Sequence, residues 1–180
     1  MATSPFRPAI DLMSQYAEYH RDRRNIATHF FGIPLIVLSL GVLLARPQFV
    51  VSGQWLTPAA VVFVLSTLWY VTRGHLVLGV AVSAVNGLLL LLGHQLAAIS
   101  GTASWLGWGV GIFVLGWTLQ FIGHYYEGRK PAFVDDLVGL LVGPMFVVGE
   151  WLFLLGWCRP MLEEIERRVG PTHIRDLARA

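Results

Sequence analysis

From Gly74 to Tyr126 the chain carries no Asp, Glu, Lys or Arg, and that gap limits what it can fold into. A water-soluble domain cannot keep so long an uncharged stretch out of sight. Two bilayer crossings of about 20 residues each, joined by a tight turn, require one. Only 13% of the chain is charged and 55% is hydrophobic, where a soluble domain is charged at about a quarter of its positions. The sequence reads as an integral membrane protein with a single membrane-embedded domain over residues 1–180.

The first apolar run begins near Phe30, behind a charged leader and without a small-residue exit, so no secretory signal peptide is expected. Cys158 is the single cysteine, which excludes an intrachain disulfide and any thiolate-rich metal site. The net charge of +2 is too small for a nucleic-acid partner, and the arginines flank apolar segments as topology signals do.

Residues 5–20 read as an amphipathic helix, with Ser4 as its cap and Pro5 at its first position. Ile10, Met13, Ala17 and His20 fall near one face, which would rest at the membrane interface or dock on the bundle. Apolar segments follow at about 30–45, 55–72, 75–99, 105–125 and 134–157, giving a transmembrane bundle over about 25–157. The first is short and borrows length from Asn25–His29. The last contains Gly143-Pro144, where proline removes an N–H and disfavours helical geometry before it. It is therefore either a kinked crossing or a re-entrant pair of half-helices. The tail, 159–180, reads as a surface helix with Met161, Leu162, Ile165 and Val169 on one side. The expected fold class is thus an all-α membrane bundle of four to five transmembrane helices with amphipathic helices at both termini.

Arg7, Arg21, Arg23 and Arg24 in the leader place the N-terminus in the cytoplasm. Four crossings then bring Arg73 and Arg129-Lys130 to the same side and leave "SGTAS" outside, with Arg46 as the exception. A fifth full crossing would export the tail arginines, so the re-entrant reading is preferred.

This topology gathers histidines. His29 opens the first crossing on the cytoplasmic side, His124 closes the fourth on that side, and His20 lies on the adjacent leader. On one continuous helix His20 and His29 would point about 180° apart, so they share a metal only if the chain turns at "HRDRRN". Asn25 is four residues before His29 and is placed to orient it. Gln120, His124 and Glu127 share one helical face. Glu127, Glu150 and His75 are reserve ligands, although Glu127, Asp135 and Asp136 also fit solvated charges paired with Arg129 and Lys130. His75 and His94 fit ordinary helix-end or bundle histidines, with His94 roughly 28 Å along the same helix. Glu150 lies among apolar residues, where an ionisable group is costly and by default functional. Imidazoles with carboxylates and no thiolate suit Fe(II), Zn(II) or Mn(II), and a lipid is the natural substrate at a bilayer face.

The blocks "YHRDRRNIATHFFGIP", "QFIGHYYEGRKPAF" and "GPMFVVGEW" resemble the Mpo-like membrane dioxygenases, from about Tyr19 to Trp151. That family includes fungal endoplasmic-reticulum enzymes that degrade 2-hydroxy fatty acids, and many bacterial members. The resemblance implies Fe(II)-dependent α-oxidation, in which a 2-hydroxy fatty acid and O₂ give the acid one carbon shorter. It implies His20, His29 and His124 as iron ligands, with Glu150 as a further catalytic residue and Asn25 and Gln120 supporting the ligands. Arg23, Arg24 or Arg129 would attract the substrate carboxylate, and Phe30, Phe31, Phe121 and Phe146 would line its acyl chain. The expected location is a bacterial inner membrane with the metal site facing the cytoplasm. The rival readings are a haem or quinone module pairing His75 with His124, and a structural bundle or transporter without metal.

Overall fold

Each of the five apolar segments folds as a helix in the computed structural model, which describes residues 6–131 and 137–177. They are α2 (Arg23–Ala45), α3 (Pro58–Val71), α4 (Leu76–Ile99), α5 (Thr102–Glu127) and α6 (Gly139–Leu154), flanked by α1 (Ala9–Ala17) and α7 (Arg159–Val169). Ser4, Pro5, Asp135 and Asp136 lie outside the described residues. The leader helix is shorter than expected, starting after Pro8 rather than at residue 5 and ending at Ala17.

Three helices, α2, α4 and α5, are long and apolar enough to cross a membrane, with 23, 24 and 26 residues. Among the described residues, a fourth span exists only if α6 and α7 are counted as one broken element. The 14 residues of α3 reach about 21 Å, short of the roughly 30 Å hydrocarbon core. Its missing length belongs to an antiparallel hairpin, β1 (Phe49–Val51) and β2 (Gln54–Leu56). Ser52 and Gly53 turn it with φ of 50° and 79°, the left-handed pair that matches strand twist. The signal was present in "VVSGQW", where two β-branched valines precede Ser-Gly and a tryptophan follows within two residues.

The chain break near the last apolar segment is not at Gly143-Pro144. Helix α6 runs through Pro144, and the sharp bend of 115° falls between α6 and α7. Proline removes the bond to the carbonyl four residues back and crowds it. The Tyr70 hydroxyl donates to the next carbonyl, Leu141, at 2.9 Å, so an outside donor helps the helix tolerate its proline. Helix α6 runs alongside α1, with Gly143 against the Tyr16 hydroxyl and Gly149 against Met13. Helix α6 thus lies along the leader helix, and α6 and α7 together form a bent, re-entrant-like pair.

Helix α1 docks on the bundle. Leu12, Met13, Tyr16 and Ala17 are buried in one core with Val142, Met145, Phe146, Met161 and Ile165. The tail helix ends at Val169, where Gly170 takes φ 81°. Residues beyond it fold back over the turn before α2: the Arg23 N–H donates to the His173 carbonyl, and the His173 N–H donates to that of Arg21 (both 2.9 Å). At the opposite end Arg46 donates to the carbonyls of Ala97 and Ser100 and lies over the Trp105 ring. The one cation on that side is thus absorbed by helix-end carbonyls.

The long helices meet through small residues, as helices in lipid do when backbones approach closely. A Cβ on Gly93 of α4 would sit 2.6 Å from backbone atoms of Gly41 and Val42 on α2, and one on Gly116 of α5 would sit 2.9 Å from the Gly32 carbonyl. Backbone cannot rotate away, so Gly93→Leu should destabilise by about 1–3 kcal/mol or more. Gly111→Ala, which meets nothing within 4 Å, should leave stability unchanged or raise it. Thermal unfolding in detergent checks both.

Candidate metal centre

The turn that the two leader histidines require is present. Helix α1 stops at Ala17 and α2 starts at Arg23, because Asp22 adopts an extended conformation and caps α2 by accepting the Arg24 N–H at 2.8 Å. The Asp22 carboxylate also takes the Arg24 guanidinium and the Arg175 N–H. Burial alone would raise its pKa, but these donors prevail and hold it at about 2. Arg21, expected only to orient the chain, is buried; it donates to the Ala17, His20 and Gly170 carbonyls, closing the C-terminal end of α1.

Glu127, the last residue of α5, fixes this turn from outside. Its carboxylate accepts the N–H of Arg21 at 3.0 Å, that of Asp22 at 2.9 Å and the Asn25 amide at 2.9 Å. The Asn25 amide also donates to the Tyr19 carbonyl. Gly123, one turn earlier, lets Thr28 and Asn25 lie against α5, since a Cβ there would collide with both side chains.

His20, His29 and His124 meet as a result. All three are buried, and one ring nitrogen from each lies within 4.8 Å of the others. Tyr16 stacks on the His20 ring with centroids 4.1 Å apart, and Phe146 closes its side at 5.3 Å. His20 Nδ1 lies 2.7 Å from the Tyr16 carbonyl and His29 Nδ1 lies 2.9 Å from that of Asn25. A carbonyl only accepts, so both Nδ1 atoms carry the proton and donate. The two Nε2 atoms, 3.0 Å apart, then face each other as bare lone pairs. Protonating His20 does not relieve this, because burial, followed by the neighbouring His29 and His124, holds its pKa well below the ordinary value. His124 Nδ1 is buried with no partner. Two imidazoles whose Nδ1–H groups are fixed by carbonyls, together with the buried, unpartnered Nδ1 of His124, form a set that could hold a metal ion. Two nitrogens about 2.1 Å from one cation at a right angle would be about 3 Å apart, so the residues fit a bound metal ion.

The other candidates go elsewhere. His75 caps α4 by accepting the Leu78 N–H through Nδ1, and the rings against His124 are His20 and His29, so the fold does not build a His75–His124 haem pair. Glu127 spends its carboxylate on the turn. Glu150 on α6 is half-buried and interacts through space with Arg21, outside the three-histidine group. Arg23 reaches Thr172, Arg24 pairs with Asp22, and Arg129 donates to the Glu18 carbonyl.

Beside the histidines lies an apolar cavity of about 280 Å³. His29, Ile33, Val37 and Leu40 line it from α2, and Phe113, Trp117, Gln120 and His124 from α5. Helix α6 packs on α1, α2 and α4, so the cavity remains between α5 and α6. None of the four expected phenylalanines lines it. Phe31 and Phe121 are exposed, Phe30 packs on Trp151, and Phe146 is buried against His20. Helical phase explains this: the cavity stripe continues from His29 at i+4, i+8 and i+11, whereas Phe30 and Phe31 are rotated off it by about 100° and 200°. None of Arg23, Arg24 and Arg129 is among the cavity-lining residues.

A family model described as 2-hydroxy-palmitic acid dioxygenase Mpo1-like matches residues 6–155. The chain is 32% identical over 154 residues to the 2-hydroxy-palmitic acid dioxygenase MPO1 of Saccharomyces cerevisiae, covering 82% of this chain and 83% of that protein. No solved structure matches.

Glu127→Ala strands three donors, each costing about 1–3 kcal/mol if left buried and unpaired. It should lower the unfolding temperature and weaken metal binding about 10- to 100-fold with all three histidines present. Glu150→Gln should leave metal content at the wild-type value. Elemental analysis of the purified variants measures both.

Proposed function

Because the chain belongs to the Mpo1-like family, we propose that it is an Fe(II)-dependent dioxygenase of fatty-acid α-oxidation. Its substrate is a 2-hydroxy fatty acid, and its product is the fatty acid one carbon shorter. The reaction balances with O₂ as oxidant: the 2-hydroxy acid and O₂ give the shortened acid, CO₂ and water. The bond broken joins the carboxyl carbon to C2, and four electrons pass from substrate to oxygen.

The observation that carries this reading is the pair of bare Nε2 atoms of His20 and His29, 3.0 Å apart, at the head of an apolar cavity. His20, His29 and His124 would hold the iron. Iron(II) held by these imidazoles would supply O₂ activation and a positive charge for the carboxylate of a 2-hydroxy acid. The protein's part is placement. Tyr16 and Phe146 fix the His20 ring, and the Asn25 carbonyl fixes the His29 tautomer. The cavity takes the acyl chain along α2 from His29 to Leu40, about 16 Å. Its apolar walls keep water from the reacting carbons. With no arginine lining the cavity, the carboxylate charge is balanced at the metal. Exposed apolar side chains flank the cavity on α5 and α6, among them Phe121 and Leu140, so substrate would enter sideways from the bilayer.

The arginine-rich end that carries the histidines is read as cytoplasmic, in a bacterial inner membrane. Purified protein should hold about one iron per chain and convert 2-hydroxypalmitate to the fifteen-carbon acid under Fe(II) and O₂. The variants His20→Ala, His29→Ala and His124→Ala should lose iron and turnover together. Full iron occupancy in those variants would contradict the ligand assignment. Absence of a shortened product from every 2-hydroxy acid tried would contradict the reaction.

A further inference from the structure

We infer that Gln120 is the side chain that recognises the 2-hydroxyl of the substrate, an inference that rests on the reading of the site as a 2-hydroxy acid dioxygenase. Gln120 is 5% exposed and lines the cavity, and its Nε2 has no partner. A buried, unpaired amide nitrogen is costly, and Gln120 stands in the wall of a chamber whose other polar side chains are Tyr16, Trp117 and the two histidines. It lies one turn before His124 on α5, about 6 Å further along the helix axis, toward the end that would hold the acyl chain.

The surroundings keep it there. A Cβ on Gly32 would collide with the Gln120 amide nitrogen and lie 2.9 Å from the Gly116 carbonyl. The close α2–α5 contact thus leaves room for the amide and for nothing larger. With the carboxylate at the histidines and the chain running toward Leu40, the next polar group inward is the hydroxyl on C2. A carboxamide carries a donor and an acceptor, and a hydroxyl pairs with either. Being uncharged, it reads the hydroxyl without attracting a carboxylate into the apolar part of the cavity. A site built to hydrogen-bond a hydroxyl discriminates against the analogue that lacks it.

The test is binding by the iron-loaded full chain in detergent without oxygen, with 2-hydroxypalmitate and palmitate displacing a fluorescent fatty acid. Wild type should prefer the hydroxy acid. In Gln120→Leu, which fills similar volume, that preference should fall about tenfold while palmitate affinity and iron content stay unchanged. Gly32→Ala, which pushes the amide aside with Gln120 still present, should lower the same ratio. If Gln120→Leu does not fold, Gln120→Met reads the same quantity with an unbranched side chain. An unchanged ratio, or an equal loss for both acids, overturns the inference. A wild-type protein that binds no iron, or no preference for the hydroxy acid in wild type, overturns the functional reading itself.

Discussion

Glu127 closes α5 with a carboxylate that accepts two backbone N–H groups of the Arg21–Asp22 turn and the side chain of Asn25. Charged acceptors make strong hydrogen bonds in a buried setting, and this one fixes three things together. It holds the leader against the end of α5, so His20 reaches His124. It holds Asn25, whose carbonyl sets the tautomer of His29. It also satisfies the N–H groups left unpaired where α1 ends and α2 begins. Without this anchor the histidines would sit on separate elements with no reason to converge.

The rest of the bundle serves that convergence. Apolar association between helices is weak in lipid, so shape does the work, and glycines at the α2–α4 and α2–α5 crossings bring backbones into contact. Helix α6 is withheld from α5 and docks on α1, α2 and α4 instead, which leaves the cavity beside the three histidines. The returning tail, bound to Arg21 and Arg23 through His173 and to Asp22 through Arg175, covers the turn from the aqueous side. One end of the molecule is therefore polar and crosslinked, and the other carries the β-hairpin, short loops and Arg46 folded onto helix carbonyls.

Much of this was legible in the sequence, for physical reasons. A long charge-free stretch leaves few alternatives to membrane helices, and side-counting along those helices put His29, His124 and the leader at one face. The 180° phase between His20 and His29 demanded a turn, and the fold supplies it. What escaped were choices made by tertiary contacts. Pro144 looked like a break, but Tyr70 donates to a carbonyl beside it. Glu127 looked like a ligand by its spacing from His124, yet backbone donors claim it. The phenylalanines looked like a chain-binding wall by composition, while helical phase assigns the cavity to Ile33, Val37 and Leu40. Arg21 was read only as a topology signal, yet it is buried as a cap, which no local pattern announces.

Everything in the proposed chemistry depends on imidazoles from the leader, α2 and α5 binding one metal ion. X-ray absorption at the iron edge of the purified, Fe(II)-loaded protein tests it directly. Ligation by His20, His29 and His124 should give about three imidazole nitrogens at about 2.1 Å from the iron, with the multiple-scattering pattern of ring atoms behind them. A coordination shell of oxygen alone, without imidazole scattering, would contradict it.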